Sequence, residues 1–227
     1  MARSQTKSLV RINKFLSDAG ICSRRKADEL IRSGSVQING KITRELGTQV
    51  DPSTDRIKVN GKPVRSSVEK VYIAFNKPKN VVTTTTDPLD RRSVVDYFKG
   101  AKVRLFPVGR LDWATEGLLL ITNDGDFSNL VSSPTSKVPK TYLAKLDGQP
   151  TVEQLNRLLK GVSIEGGGRV SALEIKRIKH GTSHQYDWVQ ITIQEEKIVR
   201  FAKCFKRLVL MSKNYNELYW RIKIRSP

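Results

Sequence analysis

The chain has 227 residues, with 41 lysines and arginines against 22 aspartates and glutamates, which gives a formal net charge of +19 at pH 7. This length predicts one or two domains with a hydrophobic core, and the charge favours a polyanionic partner, most commonly nucleic acid. There is neither an apolar run of membrane-spanning length nor a long basic amphipathic helix, so no membrane partner is expected. The two cysteines, Cys22 and Cys204, are not spaced like metal ligands, and they predict reduced thiols in a cytoplasmic protein.

Two short helices followed by a small sheet are predicted for the N-terminal part of the chain. Apolar residues recur at helical spacing from Ile12 onward, and Ser23 is placed to cap a second helix. Asn39-Gly40 and Asn60-Gly61 each follow a short alternating segment, which is typical of β-hairpins. We therefore predict a compact domain over residues 9–66.

This N-terminal segment is strongly basic. Up to Ser66 it holds 14 basic and 6 acidic residues, a net charge of +8. The second helix begins with Ser-Arg-Arg-Lys, so cations and unpaired backbone N–H groups come together there, an arrangement that binds phosphate well. The alternative is a basic face that is merely solvated. The candidate RNA-binding residues are Arg11, Lys14, Ser23, Arg24, Arg25 and Lys26.

The rest of the chain, from residue 70 onward, alternates short strands with loops and short helices. A capping box at Thr151 begins one predicted helix, Asp126 is placed to cap another, and a third covers the apolar residues of 94–98. A hairpin is predicted over Val162–Ile175. Strands are predicted at Val71–Phe75, Gly117–Ile121, Tyr142–Leu146 and Trp188–Gln194, and the segment Leu105–Val108 leads into the central stretch, Val108–Gly125.

The stretch Val108–Gly125, with the sequence VGRLDWATEGLLLITNDG, is the central feature of this second part. Arg110 and Asp112 lie two residues apart just before the predicted strand, and in an extended segment they would face the same side. On spacing alone, this pair is either catalytic or structural, with Asp112 capping a turn and Arg110 in solvent.

The segments GRLD (109–112), TEGLLL (115–120) and TNDG (122–125) closely resemble the signature of RsuA-type pseudouridine synthases. The resemblance implies that Asp112 is the catalytic nucleophile. It also implies that Arg110 contacts the phosphate backbone or fills the gap left by a flipped-out base.

Two further segments resemble motifs of the same family. Asn76-Lys77-Pro78 corresponds to its Asn-Lys-Pro segment, and Lys140-Thr141-Tyr142 to its Lys-x-Tyr motif. The resemblance implies substrate binding by Lys77, Lys140 and Tyr142, with the tyrosine stacking on the uracil. On spacing alone, a tyrosine in a strand belongs more often to the core than to a site.

Residues 11–41, RINKFLSDAGICSRRKADELIRSGSVQINGK, resemble the S4-like RNA-binding domain, or alpha-L motif. The two resemblances together imply an α+β protein, with a small αα-β RNA-binding domain over 9–66 and a mixed, mainly antiparallel-sheet synthase domain over 70–227. The implied reaction converts a uridine of ribosomal RNA to pseudouridine on a flipped-out nucleotide, with no metal or organic cofactor. The implied partner is ribosomal RNA or a pre-ribosomal particle, and we expect a cytoplasmic monomer.

The resemblance stops abruptly at Glu195. The family carries the segment Glu-Gly-Lys-Asn-Arg-Gln-Ile-Arg-Arg-Met-Phe here, and its second arginine pairs with the catalytic aspartate, whereas this chain has Ala202 at that position. Permitted codons for Lys197–Arg200, AAA ATC GTC AGA, encode Asn-Arg-Gln when the frame moves back by one base. We therefore interpret 197–227 as a frameshifted tail that lacks this arginine and the last elements of the sheet. The alternative is genuine divergence, with Arg200 supplying the cation.

Other functions follow from the same features. A non-catalytic RNA-binding protein, or a synthase inactivated by its altered tail, is the main alternative to an active enzyme. A basic scaffold for an acidic protein partner is a weaker one. The sequence leaves open whether the carboxylate attacks ribose C1′ or base C6, and which uridine is modified.

Overall fold

A computed structural model gives the chain an α+β fold. The structure describes residues 9–65, 68–147, 149–163, 168–178, 186–194 and 220–223. These residues divide into two compact units. The first unit comprises the described residues up to Val71 together with Gly100–Leu105 and Asn123–Gly125. The second comprises Tyr72–Lys99, Phe106–Thr122 and the described residues from Asp126 onward.

The first unit contains two helices and two small antiparallel sheets. The larger sheet has the strand order β3-β2-β5-β6, and β1 pairs with β4 in the smaller one. The strands β1 and β4 are not predicted from the sequence, because a two-residue strand is too short to show alternation. The elements are β1 (Val10–Arg11), α1 (Ile12–Asp18), α2 (Arg24–Arg32), β2 (Val36–Ile38), β3 (Lys41–Thr43), β4 (Gln49–Val50), β5 (Ile57–Val59) and β6 (Lys62–Pro63).

Local sequence signals account for this unit. The Ser23 hydroxyl caps α2 by accepting a hydrogen bond from the backbone N–H of Lys26 at 3.2 Å. Asn39 and Gly40 have φ angles of 51° and 84°, the left-handed conformations that a two-residue hairpin requires. Apolar faces of both helices and the sheet bury one core, made of Ile12, Phe15, Leu16, Ala27, Ile31, Val36, Val50, Ile57 and Val59.

The second unit is built mainly from antiparallel strands, as the resemblance implies. Its sheets have the orders β7-β9-β8, β13-β14-β10-β15 and β11-β12. The elements are β7 (Tyr72–Lys77), a 3-10 helix (Val94–Phe98), β8 (Phe106–Val108), β9 (Gly117–Thr122), α3 (Gly125–Ser132), a second 3-10 helix (Pro134–Ser136), β10 (Lys140–Asp147), α4 (Val152–Lys160), β11 (Val162–Ser163), β12 (Arg169–Val170), β13 (Glu174–Ile178), β14 (Tyr186–Ile193) and β15 (Trp220–Lys223).

One local prediction for this unit is wrong, and another is confirmed only in part. Asp126 lies in the first turn of α3, which begins at Gly125, so Asp126 does not cap it from outside. The hairpin predicted over Val162–Ile175 forms between β11 and β12, which pair antiparallel, and it ends at β12. Beyond it, the Leu173 N–H donates to the carbonyl of Thr192 at 2.8 Å, so the backbone leaves the hairpin and joins β14.

The pairing of β7 with β9 brings two of the motifs together. Lys77, at the end of β7, pairs with Gly117 at the start of β9, and Ile73 pairs with Ile121 further along. Alternate side chains of β9 point into the core, where Leu119 and Ile121 are almost completely buried. The Asn-Lys-Pro segment and the GRLD segment therefore meet at one edge of this sheet.

Four residues of the C-terminal tail take part in the second sheet. The strand β15 pairs antiparallel with β10, with Tyr142 opposite Ile222, and it also lies beside β9. Residues 195–219 and 224–227 lie outside the described residues. The tail is expected from the sequence to lack the last elements of the sheet, so the presence of β15 differs from that prediction. Backbone pairing requires an extended chain but no particular side chains, which makes such a strand compatible with many sequences.

Candidate functional site

The GRLD segment forms a turn that leads into β9. Gly109 has a φ of 75°, and the N–H of Thr115 donates to the carbonyl of Asp112 at 3.0 Å, which closes the turn. The side chains of Leu111 and Thr115 are buried, whereas Asp112 is exposed. The buried side chains of Leu111 and Thr115 therefore anchor the turn, and Asp112 between them is exposed to solvent.

Lys77 lies beneath this turn and is fully buried. Its Nζ donates hydrogen bonds to the carbonyls of Pro78 at 3.0 Å, Asp112 at 3.0 Å and Thr115 at 2.6 Å. Burial lowers the pKa of Lys77 to about 8, and the negative charges of Asp112 and Glu116 oppose that shift. The ammonium of Lys77 donates all three of these hydrogen bonds to backbone carbonyls. This geometry favours a role in positioning the turn, whereas the resemblance implies contact with the substrate.

A second loop, residues 80–93, is hydrogen-bonded to the same turn. The N–H of Asn80 donates to the carbonyl of Trp113 at 2.8 Å. The hydroxyl of Thr83 donates to the carbonyl of Leu111 at 2.7 Å and accepts from the N–H of Leu111 at 3.2 Å. Asn80 adopts a left-handed φ of 62°, as expected for asparagine at this turn. The turn is thus fixed both by a buried ammonium and by a neighbouring loop.

The second loop carries basic groups that sequence analysis did not single out. The carboxylate of Asp87 accepts two hydrogen bonds from the guanidinium of Arg91, at 3.0 and 2.8 Å, and one from its backbone N–H. These hydrogen bonds lower the pKa of Asp87 to about 2. The guanidinium of Arg92 lies 4.3 Å from the centre of the Tyr97 ring, which is a cation–π contact. An ordered loop with exposed arginines is suited to contacts with phosphate.

Tyr142 lies on β10 and is 3% exposed. Burial raises the pKa of its hydroxyl, and the negative charge of Asp112 raises it further. The two side chains therefore lie within electrostatic range of each other. Of the five residues predicted for the substrate site, Asp112 thus acts electrostatically on two others, Lys77 and Tyr142.

The remaining two predicted substrate residues occupy less buried positions. Arg110 is exposed, two residues before Asp112 in the turn. Lys140 is half-buried at the start of β10, where its backbone pairs with Ile193. Arg110 is thus two residues from Asp112 in the chain, and Lys140 is two residues from Tyr142.

In the first unit, the predicted RNA-binding residues divide into two sets. Arg11, Arg24 and Arg25 are exposed, the last two in the first turn of α2. Among the lysines, Lys26 pairs with Glu29 at 2.7 Å, and Lys14 forms an ion pair of the same length with Asp18. Ser23 acts as the cap of α2, so its hydroxyl is engaged in holding the helix. The three arginines therefore carry most of the unneutralised charge of the predicted set.

The described part of the chain contains neither a group of metal-ligating side chains nor a membrane-spanning helix. No three histidine, cysteine, aspartate or glutamate side chains in this part of the chain are grouped so that they could hold a metal ion. No helix within the same residues is long and apolar enough to cross a membrane.

Family models match both parts of the chain. The RNA pseudouridylate synthase model matches residues 71–197, and the S4 domain model matches residues 10–57. The chain belongs to the RNA pseudouridylate synthase family and carries an S4 domain on the N-terminal side of the synthase region. The resemblance of the GRLD and alpha-L segments to these families is thereby confirmed.

Individual relatives agree with this assignment. Ribosomal large subunit pseudouridine synthase B of Bacillus subtilis is 39% identical over 198 residues, which cover 87% of this chain and 80% of that protein. An uncharacterized RNA pseudouridine synthase of Aquifex aeolicus is 46% identical over 159 residues, 70% of this chain and 64% of the relative. The chain therefore spans just under two thirds of the Aquifex protein.

The fold also has a counterpart among solved structures. A crystal structure of a pseudouridylate synthase superimposes with a TM-score of 0.56 at 24% identity, covering 94% of this chain and 87% of the other. At this identity the likeness shows the fold alone.

Proposed function

We propose that the chain converts a uridine of ribosomal RNA to pseudouridine, with Asp112 as the nucleophile. The observation that carries the proposal is the exposed carboxylate of Asp112 on a turn held by the buried Lys77. Family membership supports the reaction class, and the Bacillus relative, whose name refers to the large ribosomal subunit, supports ribosomal RNA as the substrate. The basic S4 domain supports an RNA partner, in free ribosomal RNA or a pre-ribosomal particle.

The reaction moves the uracil from an N1 linkage to a C5 linkage on the same ribose. The bond between C1′ and N1 breaks, a bond between C1′ and C5 forms, C5 loses a proton and N1 gains one. The carboxylate of Asp112 can attack C1′ or C6 to detach the base. Either route requires the uridine to leave its stack so that its base can turn over.

The neighbouring residues take supporting roles in this proposal. The resemblance assigns Tyr142 to stacking on the uracil, and because its ring is almost completely buried here, RNA binding would have to uncover it. Arg110 contacts the phosphate backbone or occupies the space the base has left. Lys140 contributes a phosphate contact near Tyr142, and Lys77 positions the turn. Arg11, Arg24 and Arg25 provide salt-dependent affinity through the first unit. Because the substrate is ribosomal RNA, we assign the activity to the cytoplasm, with the chain acting as a monomer.

The test is pseudouridine formation on unmodified ribosomal RNA transcripts of the source organism, mapped by carbodiimide labelling and primer extension. We expect modification of a defined uridine by the wild-type chain and none by Asp112→Asn. The matched control is Asp90→Asn, which removes another exposed carboxylate of the same unit at a left-handed position that asparagine tolerates. Tight RNA binding with no pseudouridine would instead identify a non-catalytic RNA-binding protein. Binding that ribosomal RNA cannot displace would indicate a protein partner.

We also propose domain limits of 9–66 and 70–227, with the chain after Lys197 arising from a frameshift. The absence of the family's arginine at position 202 supports the frameshift, and the family match, which ends at residue 197, agrees with it. Sequencing the coding DNA from Glu195 to Phe205 tests it. One extra or missing base that restores Asn-Arg-Gln-Ile-Arg-Lys-Met-Phe supports a frameshift. An uninterrupted frame supports divergence, with Arg200 as the cation beside Asp112.

A further inference from the structure

Trp113 stands next to the candidate nucleophile and leaves half of its surface, 50%, exposed to solvent. Its backbone carbonyl has a structural function, because it accepts the hydrogen bond from Asn80 at 2.8 Å. In the part of the chain that the structure describes, its indole makes no hydrogen bond and no ring–ring contact. The shape of the turn therefore depends on the main chain of Trp113 and not on its side chain.

The surroundings of this indole favour a nucleobase as its occupant. Arg110, three residues earlier in the same turn, is exposed, and the adjoining loop 80–93 adds the exposed Arg92, whereas the charge of Arg91 is paired with Asp87. Exposed aromatic rings among cations are the means by which proteins bind unstacked bases, since the cations hold the phosphates and the ring stacks on the base. An acidic peptide would be attracted by the same charges, but it offers no large flat surface to an indole.

We propose that Trp113 stacks on a nucleobase adjacent to the uridine held at Asp112 and so contributes to the choice of RNA site. The inference rests on the proposed function, because it takes the RNA to be bound with a uridine at Asp112. Flipping a base out of a helix leaves its neighbour without a stacking partner. A rigid aromatic ring one residue from the nucleophile is placed to supply that partner. This role predicts a contribution to RNA affinity and little contribution to the chemical step.

The experiment compares Trp113→Ala, Trp113→Phe and the wild-type chain in two assays on unmodified ribosomal RNA transcripts: filter binding, and the rate of pseudouridine formation. The control is Leu130→Ala, which truncates another apolar residue of the second unit that is 63% exposed. Trp113→Ala should raise Kd and KM by roughly 5- to 150-fold, the range for loss of one base–aromatic stack, with kcat within about threefold. Trp113→Phe should recover most of the affinity, and Leu130→Ala should match the wild-type chain.

The stacking partner is identified by abasic substitutions at each nucleotide flanking the bound uridine. At one position the substitution should weaken binding by the wild-type chain but not by Trp113→Ala, because the stack has already been lost in that variant. Unchanged Kd in Trp113→Ala, or equal effects of every abasic site on both proteins, would overturn the inference. A fall in kcat at unchanged KM would also overturn it, since that result identifies a structural role in the turn. Absence of pseudouridine with the wild-type chain would refute the proposed function, while the binding assay would still decide the role of Trp113.

Discussion

Replacing Lys77 with methionine tests whether a buried ammonium positions the candidate nucleophile. Methionine has a similar length and can fill the same space without a charge or a donor. The change removes the three hydrogen bonds from Nζ to the carbonyls of Pro78, Asp112 and Thr115. All three carbonyls lose the donor that Lys77 supplies, but the carbonyl of Asp112 keeps the hydrogen bond from the N–H of Thr115. Among the described residues, this leaves the carbonyls of Pro78 and Thr115 without a donor.

Opposing contributions determine the effect of this change on stability. Two buried carbonyls left without a donor cost about 1–3 kcal/mol each. Removal of the buried charge recovers about 3 kcal/mol, because burial lowers the pKa of Lys77 from 10.5 to about 8. The net effect lies between about 1 kcal/mol of stabilisation and about 3 kcal/mol of destabilisation. The variant should therefore fold.

The effect on activity should be much larger than the effect on stability. Without the ammonium, the turn keeps its hydrogen bonds to the loop 80–93 but loses those to Lys77. Displacement of a reacting group by about 1 Å lowers rates on the order of 100-fold. We expect kcat for pseudouridine formation to fall by about this factor in Lys77→Met. The control is Lys99→Met, which replaces a lysine whose side chain is 78% exposed. A folded Lys77→Met variant with wild-type kcat would refute the positioning role.

The same lysine predicts two pH dependences of opposite sign. Its native pKa of about 8 is below its ordinary value of 10.5, so the unfolded chain binds more protons in this interval. The free energy of unfolding should therefore rise by about 3 kcal/mol between pH 8 and pH 10.5. The neutral amine has only two N–H donors for three carbonyls, so the wild-type kcat should decline above pH 8. Denaturation and rate profiles of Lys77→Met should lack both trends, and if they retain them, another group is responsible.

Three further substitutions test the local geometry. Ser23→Ala removes the acceptor for the N–H of Lys26 and should lower the free energy of unfolding in urea by about 1 kcal/mol; an unchanged value would show that the cap contributes nothing. Asn80 has a φ of 62°, so Asn80→Gly should leave the free energy of unfolding unchanged, whereas Asn80→Ala should lower it by about 1 kcal/mol. Equal stability of the two variants would contradict backbone strain at this position. Thr83→Val removes the hydroxyl that bridges the N–H and carbonyl of Leu111, so kcat should fall by at least about tenfold, with Thr83→Ser as the active control.

Much of the fold follows from short-range signals in the sequence. Ser23 indicates the start of α2 because a hydroxyl at that position can accept an N–H of the first turn, and the structure contains that hydrogen bond. Asn39-Gly40 indicates a hairpin because both residues tolerate left-handed φ angles. The path after β12 could not be predicted in this way, because the bond from Leu173 to Thr192 joins distant parts of the chain.

In the candidate site, too, some features have a local sequence signal and others depend on tertiary structure. Asp112 was found through a long motif, whereas the burial of Lys77 has no local signal, because lysine is among the residues most often exposed. Lys77 becomes buried only when β7 pairs with β9 and the turn carbonyls close over it. Thr83 and Leu111 are separated by 28 residues, so their paired hydrogen bonds are a property of the tertiary structure. The role of Lys77 as a substrate residue therefore came from the resemblance, and the structure points to a different one.

The hydrogen bonds that hold the turn before β9 involve its main chain: the carbonyls of Leu111, Asp112, Trp113 and Thr115 accept, and the N–H of Leu111 donates. Every amino acid carries that acceptor, so the exposed positions 113 and 114 can be varied without removing any of these bonds. A combinatorial library at these two positions would keep Asp112 in place while changing the surface beside it. Selection from such a library offers a way to redirect the protein toward uridines in new sequence contexts.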